Sequence, residues 1–213
     1  ALLALRRARV VGVDSLIDAL WEDDLPSAPR NAVQHHVARL RAALGQETIV
    51  ASPDGYALTD ATVDALRFEE LLGEARGALR AGDAGPAAES VALALELWRG
   101  PALHGLTQTA WFSAEARRLE SLRVDALEEQ FEAALALGDH REIVATLRAA
   151  LEENPFRERL WGQLMLALYR CGRQPDALEA YGEARRVLSE QMALEPGPDL
   201  RRLQEAILTH DPA

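Results

Sequence analysis

At 213 residues, with 23 basic against 34 acidic side chains and a net charge of −11, the chain can bury one large or two modest cores and is too acidic to coat nucleic acid by bulk charge. Leu and Ala dominate and aromatic residues make up only 5%, which favours helices over a β-sandwich. Cys171 is the only cysteine, which excludes an intrachain disulfide; with no long apolar run and no signal-peptide pattern, a cytoplasmic protein with no membrane partner is expected.

The chain opens without Met on Ala1-Leu2-Leu3-Ala4-Leu5, already in helical rhythm, and so reads as a piece of something longer. Leu2, Leu3 and Leu5 end a helix that stops in Arg6-Arg7-Ala8-Arg9, cations suited to a helix C-terminus. Val10-Val11 is expected to be a short extended link. Asp14 is then placed to cap a helix over 15–21, with Leu16, Ile17, Leu20 and Trp21 on one face. The run Glu22-Asp23-Asp24-Leu25-Pro26 breaks it, and Ser27 can cap the next helix, 28–44. In that helix Val33, Val37, Leu40 and Leu44 form the expected buried stripe. Ile49-Val50-Ala51 and Tyr56-Ala57-Leu58 flank Pro53-Asp54-Gly55, the pattern of a β-hairpin.

Helix 28–44 leaves Arg30, Asn31, Gln34, His35, Ala38, Arg39 and Arg41 off its stripe. Arg39 or Arg41 can bond guanine through two donors, Gln34 or Asn31 can do the same to adenine, and Ala38 lets the backbone approach a groove. Arg30 and Arg41 are assigned to phosphates, and Arg39, His35, Asn31 and Gln34 to bases. The competing reading is a plain solvated helix face. Net charge sharpens that alternative, since residues 1–60 hold six Arg against eight acids and 61–213 hold 17 against 26. His35-His36 is a poor metal site, because neighbours diverge by about 100° on a helix and no third ligand is suitably spaced; His36 is expected to pack against the core.

Here a resemblance enters. The segments Val13-Asp14-Ser15-Leu16-Ile17-Asp18-Ala19-Leu20-Trp21, Asn31-Ala32-Val33-Gln34-His35-His36-Val37-Ala38-Arg39-Leu40-Arg41 and Gly55-Tyr56-Ala57-Leu58 are similar to the OmpR-type winged helix. More narrowly they resemble the DNA-binding half of the Streptomyces antibiotic regulatory protein (SARP) family. The resemblance implies that the helix carrying Val37-Ala38-Arg39-Leu40-Arg41 enters the major groove and that Gly55-Tyr56 closes the wing, which adds Tyr56 to the DNA-binding residues. It also implies that a small N-terminal sheet is missing. In activators of this type the loop before the reading helix touches RNA polymerase, so Glu22, Asp23 and Asp24 are assigned that contact, with a plain polar turn as the alternative.

From Asp64 onward only amphipathic helices are expected. Phe68, Leu71, Leu72, Ala75 and Leu79 share a face ended by Gly82; helices over 87–98 and 111–137 follow, with a loop over 103–109 between them. Gly138-Asp139-His140 and Gly172-Arg173-Gln174 lie 34 residues apart, the tetratricopeptide period, and Pro155 and Pro196-Gly197-Pro198 punctuate the later turns. An ordinary α-bundle is the alternative. Paired acids such as Glu128-Glu129 and Glu152-Glu153 are read as solvated surface, and Cys171 as a buried small hydrophobe.

Leu97-Trp98-Arg99-Gly100-Pro101, Asn154-Pro155-Phe156-Arg157, Leu166-Ala167-Leu168-Tyr169-Arg170 and Glu195-Pro196-Gly197-Pro198 resemble the bacterial transcriptional activation domain of the same family. The expected fold is therefore mainly α: an N-terminally truncated winged helix-turn-helix over 1–61 and a tetratricopeptide-like helical domain over 62–213. The resemblance implies a sequence-specific activator of a secondary-metabolite cluster that binds double-stranded DNA with direct repeats as a homodimer and recruits RNA polymerase. The alternative is an interaction or effector-sensing module of a larger regulator, with a linker starting at Asp211-Pro212-Ala213. There is no phosphate loop, no nucleophile elbow and no metal-ligand spacing, so no catalytic residue, metal or cofactor is assigned.

Overall fold

The computed structural model describes residues 1–6, 9–59, 61–106 and 109–210. Arg7 and Ala8 of the basic helix end, part of the 103–109 loop, and the Asp211-Pro212-Ala213 segment lie outside the described residues. The chain divides into two compact units, residues 1–71 with 94–123, and residues 72–93 with 124–213.

The first unit opens with α1 (Leu2–Leu5), β1 (Val11–Gly12), α2 (Val13–Trp21), α3 (Pro29–Leu44), β2 (Ile49–Ser52) and β3 (Gly55–Leu58). The strands form an antiparallel sheet in the order β1-β3-β2, with Val11 opposite Tyr56 and Ile49 opposite Leu58. Val11 is thus a strand residue, not merely part of a link; a two-residue strand is too short to show alternation. Gly55 is where β1 crosses the hairpin: a Cβ there would lie 2.0 Å from the Val11 carbonyl oxygen, so only glycine fits. Leu2, Leu3, Val11, Leu16, Ile17, Val33, Val37 and Ile49 are buried together with Phe112 of α6 (Ala110–Leu137).

Several local expectations change. Helix α2 starts one residue before Asp14, which sits in its first turn and caps nothing; α3 starts at Pro29 after Ala28, and Ser27 provides no cap. Leu20 is 40% exposed and Leu40 and Leu44 are 44% and 57% exposed. The periodicity puts Leu40 and Leu44 on the core side of α3, but the helix runs past the end of a small core. His36 is exposed, with its ring 6.0 Å from that of Trp21.

Helices α4 (Asp64–Ala81) and α5 (Ala84–Glu96) contribute to both units. The second unit also holds the later half of α6, α7 (His140–Glu153), α8 (Glu158–Arg170), α9 (Gln174–Met192) and α10 (Pro198–Leu208). Its core gathers Phe131, Leu147, Leu160, Leu164, Met165, Leu168, Ala180 and Ile207. The helix pairs are closed by one recurring device. Gly82, Gly138 and Gly172 take φ of 83°, 93° and 75°, and the next residue's N–H bonds five residues back: Asp83 to the Ala78 carbonyl (2.9 Å), Asp139 to Ala134 (3.0 Å) and Arg173 to Leu168 (3.0 Å). This is the Schellman ending, which needs a left-handed residue and so favours glycine. The 34-residue spacing exposes two of the three; the 28-residue α6 displaces the first out of register.

The acids of α6 are not solvated as expected. Glu128 and Glu129 are only 6% and 8% exposed. Arg159 bonds both oxygens of Glu129 (3.1 and 3.2 Å), Arg76 reaches Glu129 and Asp125 (3.2 Å each), and Arg157 reaches Asp125 (2.6 Å). Burial pushes the Glu128 carboxyl above its ordinary range, opposed by Arg157 and Arg159. For Glu129 burial acts in the same direction, but its bonds to Arg159 and Arg76 overcome it and hold the carboxyl below its ordinary range. Cys171 is half-buried at the end of α8.

Candidate nucleic-acid interface

Helix α3 contains three arginines and no acid in its 16 residues. The acids of residues 1–59 lie in α2, in the 22–24 loop, at Glu47 and at the hairpin turn. A net-negative segment therefore presents one positively charged helix, which answers the charge objection through placement rather than composition. Arg30, Asn31, Gln34, His35, Ala38 and Arg39 are all exposed along α3. Val33 and Val37 anchor the opposite face at 2% and 5% exposure. Among the described residues Asn31, Gln34 and Arg39 have no hydrogen-bond partner for their side chains. Side chains without a partner in the free protein have donors and acceptors to offer a base edge.

The other two arginines of α3 are engaged. Arg30 bonds Asp14 at 2.6 Å, but both side chains are more than half exposed, so the pair is weak and a phosphate can replace the carboxylate. Arg41 is half-buried and turns inward: its Nε and Nη2 donate to the Ile49 carbonyl at 2.9 and 2.7 Å. Ile49 begins β2, an outer strand of the sheet, so this arginine clamps α3 to the hairpin. Tyr56 is half-buried and packs on the core of the first unit, on the strand beside the hairpin turn.

The acidic loop is divided in role. Glu22, at φ 50°, accepts a hydrogen bond from the Ala110 N–H and so caps α6 from across the unit. Thr109 Oγ1 donates to the Ala19 carbonyl at 3.0 Å beside it. Asp23 and Asp24 remain exposed. Nothing local in the sequence announces the Glu22 contact, because its partner lies 88 residues away. Among the described residues no group of three His, Cys, Asp or Glu is placed to hold a metal, and no helix is long and apolar enough to cross a membrane.

Comparison with known proteins agrees with this geometry. The family model "Transcriptional regulatory protein, C terminal" matches residues 1–58, and "Bacterial transcriptional activator domain" matches 63–208. The chain is 38% identical over its whole length to Regulatory protein AfsR of Streptomyces coelicolor, of which it covers 22%. It is 38% identical to Transcriptional regulatory protein EmbR of Mycobacterium tuberculosis, covering 57% of that protein, and 35% identical to Regulatory protein DnrI of Streptomyces peucetius, covering 83%. The chain thus spans about a fifth of AfsR and just over half of EmbR. The solved structure of Mycobacterium tuberculosis EmbR in complex with a low affinity phosphopeptide matches 97% of this chain and 57% of that chain, with a TM-score of 0.93 and 37% identity. With both domain types matched in this order and relatives similar along its whole length, the chain belongs to the SARP family of transcriptional regulators.

Proposed function

We propose that the protein is a sequence-specific DNA-binding activator of a secondary-metabolite gene cluster, with its reader in residues 1–61 and its activation half in 62–213. The observation that carries this reading is the acid-free α3, which exposes Asn31, Gln34, His35 and Arg39 outside the stripe of its buried valines. These four contact base edges, Ala38 permits close approach, and Arg30 exchanges Asp14 for a phosphate. Arg41 acts from behind: its bonds to Ile49 set the angle between helix and hairpin. Tyr56 supports the hairpin where it meets the DNA backbone.

Two copies on direct repeats, with RNA polymerase recruited beside them, complete the proposal. The polymerase contact comes from Asp23 and Asp24, while Glu22 holds the loop in place through Ala110. Reversing the charge of Asp23 and Asp24 is expected to reduce activation in a transcription assay and leave DNA affinity unchanged; loss of DNA affinity instead would refute the contact. The test of the whole reading is a titration of the chain against a duplex carrying two direct repeats from its own gene neighbourhood, beside a scrambled duplex, at several salt concentrations. Tight, repeat-dependent, salt-sensitive binding is expected, and equal binding to both duplexes would overturn it.

A further inference from the structure

The turn after α2 departs from what its residues prefer. Glu22 ends that helix at φ 50° and ψ −113°, outside the backbone regions open to residues other than glycine. Such a conformation persists only where surrounding contacts impose it. Two local bonds help: the Glu22 N–H donates to the Asp18 carbonyl (3.1 Å) and the Asp24 N–H to the Trp21 carbonyl (2.9 Å). Neither engages the Glu22 side chain, and residues 22–25 are all exposed, so packing within the loop does not fix its shape.

The remaining contacts come from α6, whose first residues belong to the same compact unit. The first N–H groups of a helix and its last carbonyls have no partner inside that helix. Here two helix ends complete each other. The Glu22 carboxylate accepts from the N–H of Ala110, the first residue of α6. In return the Thr109 hydroxyl donates at 3.0 Å to the carbonyl of Ala19, in the last turn of α2. The carboxylate also sits at the positive end of a 28-residue helix, where a negative charge is favoured.

Helix α6 is itself fixed at this end. Phe112 is 6% exposed in the core of the first unit, and Trp111 meets its ring edge-on with centroids 4.7 Å apart. The anchored partner in the contact is therefore α6, and the loop takes its shape from it.

We propose that this reciprocal contact is a latch: the 22–24 loop presents Asp23 and Asp24 in one shape only while the first turn of α6 is seated in the first unit. Glu22 is then a positioning residue for its two neighbours and makes no polymerase contact of its own. Activation depends on the shape of the loop as well as on its charge. The inference rests on the polymerase contact proposed above, but the latch itself is read without polymerase.

The test uses the full chain and three variants. Ala110→Pro removes the N–H that Glu22 accepts, at a first helical position where proline is well tolerated. Glu22→Ala removes the acceptor, and Glu22→Gln keeps an oxygen at the same reach. Hydrogen exchange at the Glu22 and Asp24 amides reports the loop directly. It is expected to quicken about fivefold in Ala110→Pro and Glu22→Ala, the loss of one helix-capping contact, and to change little in Glu22→Gln. Amides of the β2–β3 hairpin are expected to stay unchanged, which separates the latch from general loosening. In a transcription assay Ala110→Pro and Glu22→Ala are expected to lower activation severalfold with DNA affinity unchanged, while Glu22→Gln keeps most of it. Unchanged exchange in Ala110→Pro overturns the latch, and so does a loss of DNA affinity there, since the contact then serves α3. Full activation by Ala110→Pro, where charge reversal of Asp23 and Asp24 lowers it, overturns the positioning role and leaves the polymerase contact standing. Full activation in both overturns the two together. Equal loss in Glu22→Ala and Glu22→Gln, with Ala110→Pro silent, overturns the inference by making Glu22 a direct contact.

Discussion

At the scale of single residues, the three arginines of α3 stand in three different surroundings. Arg39 is exposed and has no partner among the described residues, which supports its proposed role at a base edge. Replacing it with Ala is expected to cost about 1–3 kcal/mol of discrimination at one base pair, measured as the affinity ratio between operator and single-pair variants; equal weakening on all sequences would assign it to phosphate instead. Arg41 behaves differently. Arg41→Lys loses the two-donor bond to Ile49 and is expected to lower stability by about 1–2 kcal/mol, read by denaturant unfolding. An unchanged midpoint combined with a shallower salt dependence of DNA binding would mean that Arg41 contacts phosphate after all. Gly55→Ala drives a methyl into the Val11 carbonyl and is expected to cost at least about 1–3 kcal/mol, with β1 amides losing protection from hydrogen exchange.

At the scale of elements, α6 carries two adjacent carboxylates with opposite pH behaviour. Glu129 has a lowered folded pKa, so its contribution is present above the ordinary carboxylate range and is lost as pH falls through that lowered value. Glu128 has a raised one, so the fold gains from it as pH falls through the raised value toward the ordinary range. Glu129→Gln is expected to lower stability at pH 7 by about 1–3 kcal/mol, discounted because Arg159 and Arg76 remain partly solvated. Glu128→Gln is expected to leave stability at pH 7 unchanged or higher. Unfolding curves at pH 7 and pH 4 separate them, and equal destabilisation by both variants would contradict the assignment. The glycine endings make a parallel case: Gly138→Ala and Gly172→Ala are each expected to cost about 1 kcal/mol, because alanine resists the left-handed conformation.

For the whole molecule, the distribution of charge limits how the proposed DNA contact can be made. With Arg41 turned inward and Arg39 proposed to read a base, α3 leaves Arg30 for phosphate, so the proposed pair of copies would neutralise about two phosphates through this helix. The logarithm of affinity is then expected to fall with the logarithm of salt at a slope of about −2. A slope much steeper would show that cations outside α3 carry the binding. Acidic surface elsewhere suits this economy, since it disfavours indiscriminate contact with nucleic acid while leaving one helix able to approach.

Helix faces, the hairpin and all three glycine turns were legible in the residues themselves, although the 34-residue spacing links only two of the turns, because periodicity and left-handed turns are local properties that need no distant partner. The same local rules identified the exposed side of α3 and, with the motifs beside it, the family. Tertiary structure alone decided that Leu40 and Leu44 outrun the core, that Glu22 caps α6, that Arg41 faces Ile49 and that Glu128 and Glu129 are buried among arginines. In each case the side chain's role depends on which element the fold brings against it, and a charged residue reads the same in sequence whether its partner is water, a carbonyl or a buried counter-ion.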